Sequence, residues 1–248
     1  MLVVALLLPK SVNKAPMAET LALPQSLGAM LKHRQLLQLD AGVLLLHLML
    51  TAIFVALPTL LQNYGLVSVK HWQFYLPVLL GSFVLMIPMM LIAMRKAQEK
   101  GFFLLAIALL SSAMLVIVAL PGFWPLTAAL LLFFIGFNFL EASLPALVSR
   151  IAPAGQRGSA MGIYSSSQFF GAFLGGVLGG IISGQFGAAS VFALAGGIGL
   201  IWLFLARRMQ VPQRAQRLSY LVGDVDDAAA KTLVSQLSSR SGHAVLVF

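Results

Sequence analysis

The chain has no cysteine, so disulfides, thiolate metal sites and cysteine nucleophiles are all excluded. Charge is nearly as scarce. Only 9% of the 248 residues are Asp, Glu, Lys or Arg, against about 25% in an ordinary soluble domain. Acidic residues are the scarcest class, seven against sixteen Lys and Arg, and the four histidines (His33, His47, His71, His243) are scattered without metal-ligand spacing. What fills the chain is apolar: 60% of it is hydrophobic. No soluble packing arrangement absorbs that composition, so the expected class is an all-α polytopic membrane protein.

About 20 apolar residues are needed to cross the hydrocarbon core as a helix. Six stretches qualify, at 37–61, 72–94, 102–120, 123–149, 159–183 and 188–206. The fifth is rich in Gly and Ser, the composition found where membrane helices approach closely.

The excess of basic residues invites a nucleic-acid reading, but their placement explains them otherwise. Thirteen lie before the first span (Lys10, Lys14, Lys32, Arg34), in the second-to-third loop (Arg95, Lys96, Lys100), in the fourth-to-fifth loop (Arg150, Arg157) or just after the last span (Arg207, Arg208, Arg214, Arg217). The alternate loops hold only Lys70. The positive-inside rule then sets the thirteen, and both ends of the six-span unit, in the cytoplasm of a multi-pass inner-membrane protein. No nucleic-acid partner is expected.

Outside the spans, "MLVVALLLPK" is too short to cross and lacks the basic start and cleavage site of a signal peptide. Residues 1–8 read as the last turns of a preceding membrane helix, 9–36 as a cytoplasmic linker and 207–217 as a basic one. In the tail, 218–222 and 245–248 are strand-like. Between them Asp224, Asp226 and Asp227 offer N-cap and first-turn charge to a helix over 228–237. One β-α-β unit cannot bury both faces of a sheet, so 218–248 reads as a partial α/β domain.

Polar residues inside the spans are the candidate functional groups. In "LLLFFIGFNFLEASLPALVSR" (130–150), Thr127, Asn138, Glu141 and Pro145 share a helix face. A charge near mid-membrane costs ~2.5–3.5 kcal/mol on insertion scales. Pro145 has no N–H, which frees the Glu141 carbonyl from its helical partner. Glu141 is either a protonatable group facing a central cavity or a structural acceptor that never titrates. The first span sets Asp40, His47, Thr51 and Pro58 on one face. Imidazole suits proton relay; a neutral His47 bonded between helices and an Asp40 capping a helix at the interface are the bland alternatives. In the fifth span Tyr164, Gln168, Gly171, Gly175 and Gly179 align, and Gly176, Gly180 and Gly184 form a second row. The first glycines read as helix-packing positions. Tyr164, Gln168, Asn138 and Thr51 are the substrate-cavity candidates. No catalytic constellation, cofactor motif or phosphate loop appears, since "GGVLGG" lies within a span. The chain does not read as an enzyme.

Several strings carry a family resemblance. "NFLEASLPALVSRIAPAGQRGSAMGIYSSSQFFGAFLGGVLGG" (138–180) is similar to the tenth and eleventh helices of YajR-like transporters, in the drug:proton antiporter branch of the major facilitator superfamily. "LLHLMLTAIFVALP" (45–58) resembles their seventh helix, and the tail resembles the start of their ferredoxin-like cytoplasmic domain. "RGSAMG" resembles a cytoplasmic loop motif, with Arg157, Gly158 and Gly162. The loop "AMRKAQEKG" keeps Arg95, Lys96 and Gly101 but not the aspartate-containing pattern of the superfamily's best-known motif.

The resemblance implies a six-transmembrane-helix bundle, the C-terminal half of the major facilitator fold, followed by a truncated ferredoxin-like domain. It implies proton-coupled efflux of small amphipathic molecules by alternating access, with Glu141, His47 and Asp40 as proton-coupling candidates. The implied partners are the bilayer, a small-molecule substrate, protons and an N-terminal six-helix half. The alternative is a truncated or split-gene fragment without transport of its own.

Overall fold

In the computed structural model the described residues are 28, 30–153, 155–209 and two short strands, 217–220 and 244–247. Among the described residues six α-helices of 19 residues or more follow one another: α1 (Arg34–Asn63), α2 (His71–Arg95), α3 (Glu99–Ala119), α4 (Phe123–Ile151), α5 (Arg157–Phe186) and α6 (Ala188–Ala206). All six are long and apolar enough to cross a membrane. Each coincides with one of the six apolar stretches to within three residues at either end.

The expected linker 9–36 is shortened by this: Arg34–Leu36 belong to α1, because the His33 side chain caps the helix by accepting from the Leu36 amide (3.4 Å). "RGSAMG" is likewise helical rather than loop. The chain turns at Pro153 and Gly155 (φ +76°), and nothing from Arg157 onward interrupts a helix. Between α5 and α6 a single residue, Gly187 at φ +84°, both ends one helix and starts the next. An L side chain is disfavoured in that conformation, whereas glycine adopts it freely.

The helices pack around α1, which lies along α5 and also touches α6 and α4; α3 packs on α4 and α6, and α2 on α4. The core holds Leu39, Leu46, Met49, Ile53 and Leu57 of α1, Ile107, Leu110 and Met114 of α3, Phe133 of α4 and Phe192 of α6. Two helices leave broad apolar faces uncovered. Phe169, Phe170 and Phe173 of α5 are 54–73% exposed, and Leu80, Phe83 and Val84 of α2 are 53–66% exposed. Apolar surface on that scale marks contact with lipid or another protein.

α1 and α5 run parallel and very close. A Cβ on Gly171 would lie against the Leu44 carbonyl, one on Gly175 against the Leu48 carbonyl, and one on Gly179 at 2.8 Å from the Ala52 Cα. All three glycines are buried in this contact. The second row, Gly176, Gly180 and Gly184, faces open space.

Strands β1 (Arg217–Tyr220) and β2 (Ala244–Val247) pair in parallel, Arg217 opposite Ala244. Each strand lies slightly N-terminal of its expected place. Arg217 therefore belongs to β1 rather than to the basic linker, because the ladder starts at that residue. Parallel strands require a crossover of a dozen or more residues, and 23 residues (221–243) separate these two. The expected helix 228–237, the end of a preceding helix at 1–8, most of the linker before α1, and residues 210–216 lie outside the described residues.

Candidate functional site

Three polar side chains from three helices meet inside the bundle: His47 of α1, Glu141 of α4 and Gln168 of α5. The Gln168 amide nitrogen is 2.8 Å from His47 Nε2 and 3.2 Å from Glu141 Oε1. Glu141 Oε2 is 3.6 Å from His47 Nε2. The imidazole is 13% exposed and the Glu141 side chain 39%. Phe137 closes one side, its ring meeting His47 edge-on with centroids 5.8 Å apart.

Hydrogen-bond bookkeeping assigns the protons. His47 Nδ1 is 3.2 Å from the Val43 carbonyl, and a carbonyl only accepts, so Nδ1 carries the hydrogen. In the neutral ring Nε2 is then an acceptor. A carboxylate oxygen is an acceptor too, so the group between them is the two-hydrogen end of the Gln168 amide, donating once to each. A second proton on His47 changes this. Nε2 becomes a donor facing a donor, the amide must turn away, and the adjacent Glu141 oxygen becomes an ion-pair partner. The cluster thus has two discrete hydrogen-bond arrangements that differ by one proton.

The helices that bring these groups together are aligned by the glycine contact. Gly171 lies three residues beyond Gln168 on α5, and its neighbour Leu44 lies three residues before His47 on α1. Close backbone approach there lets a glutamine reach a histidine 121 residues away in sequence.

The other candidates are distributed around this cluster. Thr51 donates to the His47 carbonyl one turn back in α1. Asn138 turns away from Glu141 and donates to Ser82 of α2 (3.0 Å), which itself donates to the Leu79 carbonyl (2.7 Å). Tyr164 is only 3% exposed, and its hydroxyl has no partner among the described residues. Asp40 is 6% exposed, one oxygen is likewise unpartnered, and it lies six residues into α1 rather than at the cap. Arg157 is exposed in the first turn of α5 and forms no bond to a helix-end carbonyl among the described residues; Gly158 is exposed beside it, and Gly162 meets nothing. A cation at the positive end of a helix dipole gains nothing from the helix.

Sequence reasoning missed two pairs. Ser82 carries no signal that names Asn138 as its partner. The ion pair Arg150–Glu99 (2.7 Å) joins the last turn of α4 to the first turn of α3. Its signal was available, because an acid at a helix start and a base at a helix end complement the two dipoles. It borders a small cavity of about 50 Å³ lined also by Met90, Met94, Phe103, Phe139 and Ser143.

An apolar six-helix bundle carrying a polar cluster is one arrangement of a membrane transporter, and comparison with known proteins decides the family. The Major Facilitator Superfamily model matches residues 39–238. The chain belongs to that superfamily. It is similar to the inner membrane transport protein YajR of Escherichia coli (strain K12), 37% identical over 188 residues, which is 75% of this chain and 41% of that protein. It is also similar to the uncharacterized transporter BU466 of Buchnera aphidicola subsp. Acyrthosiphon pisum (strain APS), 34% identical over 133 residues, 53% of this chain and 34% of that protein. A third relative, an uncharacterized transporter of Buchnera aphidicola subsp. Baizongia pistaciae (strain Bp), is 29% identical over 150 residues, 57% of this chain and 37% of that protein. The chain therefore spans about two fifths or less of the length of these relatives. Six membrane-capable helices match the size of one half of the major facilitator fold, and the relatives are transporters rather than enzymes.

Proposed function

We propose that this chain is the C-terminal half-bundle of a proton-coupled efflux transporter of the inner membrane. The bundle rocks against a second, N-terminal six-helix half, and a small amphipathic substrate binds near the midplane between the two. The basic ends of the helices face the cytoplasm. The observation that carries the reading is the His47–Gln168–Glu141 cluster, whose two hydrogen-bond arrangements are separated by one proton. A transporter couples to protons when protonation biases a two-state element, and this cluster spans α1, α4 and α5. With Glu141 ionised and His47 neutral, Gln168 ties the three helices together. Proton uptake breaks that tie and replaces it with a direct His47–Glu141 contact.

The test is proton-driven transport in vesicles, with this chain alone and with a matching six-helix half. Transport requiring the partner and a proton gradient is the expected result. Glu141→Gln in the active assembly should abolish dependence on the gradient. PH dependence that survives the substitution would refute the role of Glu141, and gradient-independent transport by the unaltered assembly would refute proton coupling.

A further inference from the structure

At the basic end of the bundle α1 and α6 border an apolar groove that the transport reading does not use. The two helices meet where Gly42 faces Trp202; a Cβ on Gly42 would lie 3.2 Å from the indole ring. Around that contact is a cavity of about 90 Å³, between Gln38, Ala41 and Leu45 on one side and Trp202, Leu205 and Met209 on the other. Apart from the Gln38 amide and the Trp202 N–H, these walls are apolar. The groove is open to the outside, because Ala41 and Leu205 are themselves exposed. Ile201, Phe204 and Leu205, 56–63% exposed, continue the apolar surface along α6. Such a surface on a membrane-spanning helix faces lipid or another protein.

Charge at the mouth of the groove decides between them. Over residues 30–40 and 200–209 the chain carries Lys32, Arg34, Arg207 and Arg208, all exposed, against one acid, Asp40, which is buried. Arg34 lies one turn beyond Gln38, on the helix face that Gln38, Ala41 and Leu45 share. Arg208 lies three residues beyond Leu205, and its amide donates to the Leu205 carbonyl (3.2 Å), so the chain still turns there. The Arg208 guanidinium is 5.6 Å from the centroid of the Phe204 ring, a cation–π contact that holds it against the outer face of α6. Counted along the helices from the Gly42–Trp202 contact, Arg34 is about 12 Å and Arg208 about 9 Å toward the same end. Two guanidinium groups thus stand near one level, where the apolar groove ends.

We infer that this groove binds an anionic glycerophospholipid. One acyl chain lies along Ala41, Leu45, Trp202 and Leu205, and Arg34 and Arg208 take the phosphate, whose oxygens match the forked donors of guanidinium. Gln38, one turn deeper than Arg34, offers a donor at the depth of the ester carbonyls. A zwitterionic lipid fits the same apolar walls but brings no net charge to the arginines. The bound lipid fastens the start of α1, the helix that carries His47, to the end of α6. The inference is independent of proton coupling.

Trp202 is the reporter that tests it. It is 5% exposed, so a lipid quenches it by entering the groove rather than by passing along the surface. The other two tryptophans, Trp72 and Trp124, are exposed in the first turns of α2 and α4, at the opposite end of the bundle. Trp72→Phe with Trp124→Phe leaves Trp202 as the single fluorophore. The whole chain is placed in phosphatidylcholine vesicles containing a minor fraction of brominated phosphatidylglycerol or, in parallel, of brominated phosphatidylcholine. The expected result is an association at Trp202 about 30-fold stronger for the brominated phosphatidylglycerol, the scale that two arginines near an anionic headgroup supply. Arg34→Gln and Arg208→Gln should each cut this preference about 5-fold. Ala41→Phe, at an exposed position, should fill the groove and abolish quenching by either lipid. Arg95→Gln with Lys96→Gln, at the same end of the bundle but on α2, should leave the preference unchanged. Equal quenching by the two brominated lipids would overturn the site. An equal loss in the Arg95 and Lys96 variant would also overturn it, by showing diffuse surface charge rather than a binding site. Quenching that survives Ala41→Phe would show that lipid reaches Trp202 elsewhere, and no quenching at all in the unaltered groove would show that protein fills it.

Discussion

The sharpest structural claim is that two rows of small residues on α5, indistinguishable by spacing, have opposite roles. At Gly171 an added Cβ would be 2.8 Å from Leu44 Cα and closer still to its carbonyl oxygen. At Gly175 it would be 2.8 Å from Thr51 Oγ1 and 2.9 Å from the Leu48 carbonyl carbon. Carbon atoms in ordinary contact stand about 3.5–4.0 Å apart, and the nearest obstacles, the Leu44 and Leu48 carbonyl groups, are backbone, which cannot swing aside. Alanine at either position must therefore push α5 off α1 by about 1 Å, an overpacking that costs ~1–3 kcal/mol. At Gly176 and Gly180 nothing lies within 4 Å. Alanine there meets no obstacle and gains up to about 1 kcal/mol of helix propensity. The two pairs of substitutions should thus differ by about 2–4 kcal/mol in bundle stability. Detergent-driven unfolding in mixed micelles, followed by circular dichroism, measures this directly. A second consequence ties packing to chemistry. An outward shift of about 1 Å lengthens the 2.8 Å Gln168–His47 contact beyond hydrogen-bond range. Equal stabilities for all four variants, within about 0.5 kcal/mol, would show that the α1–α5 approach is wrong. So would an intact histidine–glutamine bond in Gly171→Ala.

Further outcomes follow from the polar contacts. Nitrogen NMR of labelled histidine should find neutral His47 in the Nδ1-protonated tautomer, and Gln168→Leu should shift the Nε2 resonance by removing its donor; an Nε2-protonated ring would refute the assignment. Asn138→Leu should cost about 0.6 kcal/mol of stability and at most ~1.7, the range for hydrogen bonds between membrane helices, and Ser82→Ala should add little to it in a double-mutant cycle. Arg150→Ala should cost about 1–2 kcal/mol, between the values for exposed and buried ion pairs, since the paired side chains are 27% and 20% exposed; loss of less than about 0.3 kcal/mol would show that the pair is solvated.

How much of this was legible without coordinates depends on the range of the interaction. The six spans were readable because crossing a bilayer demands a long apolar run, and α1 to α6 begin and end within a few residues of the expected bounds. Glu141, His47 and Gln168 could each be singled out as polar groups on a helix face, because periodicity is a local property. Their meeting could not be read. They lie on three helices, and periodicity states which residues share a face but not which helix that face meets. The same gap hid Ser82 from Asn138 and left the two glycine rows of α5 equivalent. It also left Asn138 and Glu141 on one stripe, although their side chains turn to different neighbours, Ser82 of α2 and Gln168 of α5.

The question raised by a carboxyl group in an apolar span has a physical answer in this geometry. With no Lys or Arg in the described helices outside their terminal turns, Glu141 is accommodated by the Gln168 amide, which also contacts the His47 imidazole. On the proposed reading, the arrangement accommodates the carboxyl without fixing its charge state, because each of its members rearranges when a proton arrives. An arginine at position 168 would hold Glu141 ionised through a strong, permanent pair and remove the alternative arrangement. Gln168→Arg is therefore the substitution that separates accommodation from switching. It should leave the bundle folded and raise its resistance to detergent, while the infrared signature of Glu141 protonation disappears across the accessible pH range. Persistence of that signature beside a guanidinium would mean that Gln168 does not contact Glu141 in the membrane.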